Sequence, residues 1–146
     1  MNHDHDHAGE VAGRIMPIGE ARRRMTVLDQ GRETLLRRMN QLVQEFRETF
    51  SDPHVVLVLH RQAPGANLRW RRRAPLAALQ TFLTLTAPSG AGYVQGLPPK
   101  ARRRVIEFDR RAADLNLRYN TLAYERKRLK MYMEHIQRLD EMEQSP

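Results

Sequence analysis

Residues 105–136 read VIEFDRRAADLNLRYNTLAYERKRLKMYMEHI. Within them Val105, Phe108, Ala112, Leu115, Tyr119, Leu122, Arg126, Leu129, Met133 and Ile136 recur at alternating steps of three and four. That spacing places them on one helical stripe. An earlier ladder repeats it: Met25, Leu28, Arg32, Leu35, Met39, Leu42, Phe46 and Thr49. Two helices with one apolar stripe each bury those stripes most directly against each other. The connecting segment returns the chain, so the helices are expected to run antiparallel. The expected fold class is therefore mainly α: an antiparallel long-helix hairpin, a coiled-coil-like stalk, with an inserted β-hairpin and short helix at one end.

The boundaries follow from local chemistry. The first helix is expected over 19–50, because Asp52-Pro53 disfavours helix just beyond it. Gly31 costs about 1 kcal/mol relative to alanine inside a helix, so it is a candidate break. The last helix is expected over about 98–142, starting from Leu97-Pro-Pro-Lys100. At 1.5 Å per residue it is about 67 Å long and outreaches the first by about 20 Å. An unpaired stripe around Met133 and Ile136 would then expose apolar surface and favour a homo-oligomer. Setting Phe50 opposite Val105 brings Arg126 near Asp29, and Arg32 near Ala123 and Glu125. The alternative is that both arginines snorkel from the seam edge. The same alignment puts Arg22–Arg24 beside Arg126–Lys130. It puts Arg102–Arg104, Arg110 and Arg111 near the hairpin, partly neutralised by Glu45, Glu48 and Asp52.

Between the ladders, Val55-Val-Leu-Val-Leu59 and Leu68-Arg-Trp-Arg-Arg-Arg73 flank Pro64-Gly65. β-branched residues favour strand, and Pro-Gly suits the centre of a type II turn, where glycine accepts positive φ. This β-hairpin insert is expected over 54–73, with Ala63 facing Ala66, Leu59 facing Trp70 and Val58 facing Arg71. Leu57, Leu59, Leu68 and Trp70 form its core face. Val56, Val58, His60, Arg69, Arg71 and Arg73 form the other. Pro75–Thr86 is read as a short helix, although Thr81–Thr86 also alternates like a strand. Ala87–Gly96, with its proline and glycines, is read as a loop.

The chain has 146 residues, which fits one domain over 19–142 between short tails at 1–18 and 143–146. It carries 25 Lys+Arg against 17 Asp+Glu, a net charge of +8, with a pI of about 10.7. That balance favours a polyanionic partner. Cysteine is absent, which excludes disulfides, thiolate metal sites and cysteine nucleophiles. The start lacks the apolar core of a signal peptide. The run Val55–Leu59 is far short of the ~20 residues needed to cross a bilayer. A cytoplasmic protein without membrane contact is expected.

His3-Asp-His-Asp-His7 offers borderline metal ligands, but nothing fixes their geometry, so it is read as a disordered solvated tail. No metal or cofactor is expected. Ser89-Gly-Ala-Gly92 lacks the spacing and lysine of a phosphate loop. No acid, base and nucleophile converge, so no enzymatic activity is expected and no catalytic residue is assigned. The candidate nucleic-acid contacts are Arg69, Arg71, Arg72 and Arg73, with Arg102, Arg103 and Arg104. Guanidinium forks suit phosphate, and a two-stranded ribbon fits a DNA groove. The alternative for these arginines is a solvated face. Trp70 is read as a core anchor rather than a stacking platform.

The order helix, Leu68-Arg-Trp-Arg, loop, Leu97-Pro98, then a long helix with Arg111 and Leu115-Asn116-Leu117 resembles an uncharacterised family encoded on bacterial integrative and conjugative elements. The likeness covers residues 20–140. Members are sometimes labelled integrase regulators. The resemblance implies a genomic setting and supplies no functional residue. The expected role is a non-catalytic accessory or regulatory protein of a mobile element that contacts DNA. A protein–protein adaptor and an RNA-binding protein are the alternatives.

Overall fold

A computed structural model of the chain describes residues 14–74 and 81–146. It is mainly helical with one small antiparallel sheet. The elements are α1 (Ile18–Thr49), β1 (Val55–Gln62), β2 (Gly65–Arg72), β3 (Phe82–Leu83), α2 (Pro88–Gln95) and α3 (Pro99–Gln144). The expected histidine-containing tail falls largely outside the described residues.

α1 and α3 pack with their numbering running in opposite directions. Arg24 meets Glu125, Asp29 meets Arg126 and Glu45 meets Arg111. Phe46 and Phe108 stack edge to face at 5.4 Å. Leu28, Leu35, Met39, Leu42 and Phe46 are buried, as are Val105, Phe108, Ala112, Leu115 and Tyr119. Arg126 reaches Asp29 as expected. Arg32 does not reach Glu125, which Arg24 occupies. Arg32 instead donates to the Tyr119 hydroxyl at 3.2 Å and pairs with Asp29.

Gly31 does not break α1. A Cβ there would lie 2.9 Å from Leu122 Cδ1, so the glycine permits a close approach of α3. Leu122 itself is partly buried at this contact. α3 outruns α1, and Leu139 and Met142 on that overhang are exposed.

The sheet has the order β1-β2-β3. Two expectations about the hairpin are corrected. Gln62 pairs with Gly65, so Ala63-Pro64 forms the turn, with a cis peptide bond as in type VI turns. Leu57 therefore faces Trp70, Leu59 faces Leu68 and Val58 faces Arg69. The slip is two residues, and side chains alternate with period two, so each residue keeps its face. Gly65 has no positive φ. A Cβ there would sit 2.1 Å from Asn120 Oδ1, so the glycine makes room for a residue of α3.

The hairpin packs against the first half of α3. Its inner face lies along α3, with Trp70, Leu68 and Ala66 bonded in turn to Asp109, Asn116 and Asn120. Val55, Leu57, Ala66, Leu68 and Trp70 join both helical stripes in one core. α3 is thus shared between a helix on one side and a sheet on another.

Of the helix expected over 75–86, residues 75–80 lie outside the described residues. Phe82-Leu83 is the strand β3, paired with Arg71 and Trp70. The loop expected over 87–96 is the helix α2. Pro88 occupies its first turn, where a missing N–H costs nothing. Gly90 lies against the Thr84 and Leu85 backbone, and a Cβ would be 2.1 Å from the Thr84 carbonyl. Tight packing, rather than turn geometry, accounts for that glycine.

Candidate nucleic-acid interface

The interface is built outward from Trp70. Its ring is 3 % exposed and stands edge-on to Phe46 at 5.3 Å. Its indole N–H donates to Asp109 Oδ1 at 2.8 Å. A buried tryptophan needs such an acceptor. Asp109, one turn before Ala112 on α3, is the group that supplies it. With Trp70 turned inward, strand alternation turns Arg69, Arg71 and Arg73 outward.

These three arginines have different surroundings. The Arg69 guanidinium lies 3.6 Å from the centroid of the Phe82 ring. His60 packs against that ring at 5.1 Å, and its Nδ1 is 3.5 Å from Arg69 Nη1. Phe82 covers one guanidinium face, His60 meets Nη1, and the remaining edge donors have no partner among the described residues. Arg71 is half-buried, and its Nε has no hydrogen-bond partner among the described residues. Arg73 donates to Asp52 Oδ1 at 2.8 Å and to the Pro53 carbonyl. Asp52 takes a left-handed conformation, φ 48°, at the α1–β1 corner. One arginine of the 69–73 cluster is thus paired, with an acid distant in sequence. Arg72 is exposed at the end of β2.

Arg102 is not a free contact. Its Nη2 donates to the Gln95 and Leu97 carbonyls at 3.1 and 3.2 Å. It therefore satisfies carbonyls at the C-terminal end of α2. Arg103 and Arg104 are exposed, with no ion pair among the described residues. Further along α3, Arg110 pairs with Glu107 and Arg111 with Glu45. The Arg111 hydrogen bond holds the Glu45 carboxyl below its usual pKa, and the same bond raises Arg111. Of the acids expected to neutralise this region, Glu45 does so. Asp52 serves Arg73 and Glu48 accepts from Gln44.

Two asparagines escaped the sequence reading. Asn116 Oδ1 accepts from the Leu68 N–H at 2.7 Å, and its amide donates to the Leu68 carbonyl at 3.1 Å. Asn120 treats Ala66 the same way, at 3.2 and 2.9 Å. Helical residues four apart are spaced about 6 Å along the axis, and alternate strand residues nearly 7 Å. The two side chains therefore stand in for a neighbouring strand along β2 where β3 does not reach. The spacing Asn116-x-x-x-Asn120 was the available signal. It gains meaning only once a strand edge lies beside it.

β1 presents the opposite edge. Arg73 N–H bonds the His54 carbonyl, so the even-numbered residues of β1 bond β2. The backbone groups of Val55, Leu57, Leu59 and Arg61 point away from it. No strand among the described residues pairs with that edge.

Among the described residues no cluster of three His, Asp or Glu could hold a metal ion. His3, His5 and His7 lie outside them. No helix among the described residues is long and apolar enough to cross a membrane. No family profile, curated protein or solved structure matches this chain.

Proposed function

We propose that this chain is a non-catalytic DNA-binding accessory protein whose contact surface is the outer face of its sheet. The observation that carries the reading is the Arg69–Phe82 stack, flanked by His60 and Arg71. A guanidinium already held flat on a ring loses little freedom when it grips a phosphate. Arg72, which the same alternation turns to the inner side, and the exposed Arg103 and Arg104 on α3 lie off that face and add to the general positive field around it. The bonds from Trp70 to Asp109 and from Ala66 to Asn120 run down β2 as they run up α3. The same progression brings Arg72 level with the first turns of α3. In this reading α1 and α3 form a coiled-coil-like antiparallel stalk that backs the sheet. The setting, an accessory protein of a mobile element, is what the resemblance to integrative-element proteins implies.

The test is fluorescence anisotropy on duplex DNA across a salt series. Log K should fall against log salt with a slope of about −0.9 per phosphate neutralised. Arg69→Gln with Arg71→Gln should weaken binding and flatten that slope. Tighter binding to single-stranded RNA than to duplex DNA would move the reading to RNA. No binding to either at low salt would reject it. The open β1 edge favours one other reading, an adaptor that adds an extended segment of a protein partner to its sheet.

A further inference from the structure

Two grooves run along the α1–α3 pair, and their charges differ in kind. One, of about 610 Å³, is lined by Arg38, Arg110 and Arg111 together with Glu45, Glu107 and Asp114. Its cations and carboxylates are equal in number, and two of the pairs are bonded. The other, of about 430 Å³, lies where the hairpin turn meets α3. Arg32, Arg126, Lys127 and Lys130 line it beside Ala63, Pro64 and Ala123, and no carboxylate does.

We propose that this second groove is a binding site for a phosphate group, separate from the outer face of the sheet. Its floor is α3, where positions 123, 126, 127 and 130 share one helical face. The small side chain of Ala123 gives it depth, and Ala63-Pro64 forms a wall. The two arginines are oriented in advance. Asp29 bonds the Arg126 Nε and pairs with Arg32 Nη1. The Tyr119 hydroxyl accepts from Arg32 Nη2. Arg126 bonds only through Nε, so its Nη donors have no partner among the described residues. Lys127 and Lys130 form no ion pair among those residues either. Four cations against one adjoining carboxylate leave the site cationic, in a concave space of ligand size. A tetrahedral anion with several acceptor oxygens matches guanidinium and ammonium donors arriving from both α1 and α3. The phosphate can belong to a nucleic-acid backbone or to a free polyphosphate.

The experiment is calorimetric titration of the full chain with inorganic pyrophosphate at low salt. It is repeated on Lys127→Gln/Lys130→Gln and on Arg22→Gln/Arg23→Gln, which removes equal charge from α1 outside the groove. Saturable binding is expected in the parent. It should weaken about tenfold in the groove variant, as suits the loss of two charge-assisted contacts. It should be unchanged in the α1 variant and in Arg69→Gln/Arg71→Gln, so failure of the sheet face as a DNA surface leaves this result intact. Competition by duplex DNA for bound pyrophosphate assigns the phosphate to a nucleic-acid backbone. Lack of competition assigns it to a free polyphosphate. No saturable binding in the parent, or equal weakening in the groove and α1 variants, overturns the proposal.

Discussion

The two faces of the β1–β2 hairpin share the same strands and solve opposite problems. On the inner face, the indole N–H of Trp70 has Asp109, and the β2 backbone at Ala66 and Leu68 has Asn120 and Asn116. On the outer face, the Arg69 guanidinium rests on an aromatic ring, and only Arg73 at the far end is held by a carboxylate. Buried polar groups left unpaired are costly, whereas solvent-facing donors are not. The inner face should therefore govern stability, and the outer face should be able to change without unfolding the chain.

The strongest way to break that division is to empty the inner face. Trp70→Ala removes the ring packed on Phe46 and strands the Asp109 carboxylate. It should cost about 3–5 kcal/mol, the range for large aromatic truncations. Denaturant unfolding followed by circular dichroism reads this directly. A loss below about 1 kcal/mol would mean that the sheet is not part of the common core.

The next effect separates edge capping from core packing. Asn116→Ala leaves the Leu68 N–H and carbonyl without partners and should cost about 1–3 kcal/mol. Asn120→Ala should behave similarly. Hydrogen exchange should speed up at Leu68 in the first variant and at Ala66 in the second. Unchanged exchange at both would show that solvent serves this edge as well as the asparagines do.

The same contrast explains what the sequence made legible. Both helices could be read because their stripes keep alternating steps of three and four over many turns, and a wrong phase would expose all of Leu28, Leu35, Leu42 and Phe46. The faces of the hairpin could be read for the same reason with period two. Its register could not, since a slip of two residues leaves every side chain on its own face. Gly31, Gly65 and Gly90 signal breaks or turns locally, yet each marks a close approach, by distant residues of α3 at the first two and by the Thr84–Leu85 backbone at the third. Arg102 belongs to a charged triplet in the sequence and to the α2 carbonyls in the fold. Asp109, Asn116 and Asn120 sit beside the apolar stripe and look solvated until the strand they serve lies against them.

On the outer face the expected effect is on binding. Arg69→Gln with Arg71→Gln should shift the unfolding free energy by no more than about 0.5 kcal/mol. Loss of two phosphate contacts should reduce the salt slope on duplex DNA by about 1.8. Arg73→Gln alone should do less, because Asp52 already neutralises that side chain. A larger loss from Arg73 than from Arg69 would displace the contact surface toward the α1–β1 corner.

The smallest effect lies away from both faces, at the Glu45–Arg111 pair that ties α1 to α3. The carboxyl of Glu45 is held below its ordinary value of 4.5 by the hydrogen bond from Arg111. A group whose folded pKa is depressed adds stability above its unfolded pKa, and that contribution fades as pH falls through the folded value. Both side chains are nearly half exposed, 49 % and 46 %, so water screens the pair and keeps its worth under about 1 kcal/mol. Glu45→Gln should therefore cost a few tenths of a kcal/mol at pH 7. It should cost nothing well below the carboxylate range, where the parent has also lost the charge. Raising the salt at pH 7 should shrink the difference in the same direction. An equal cost at both pH values would mean that the substitution acts through packing on Leu42 and Leu115, the apolar residues of the same groove, and not through the ion pair.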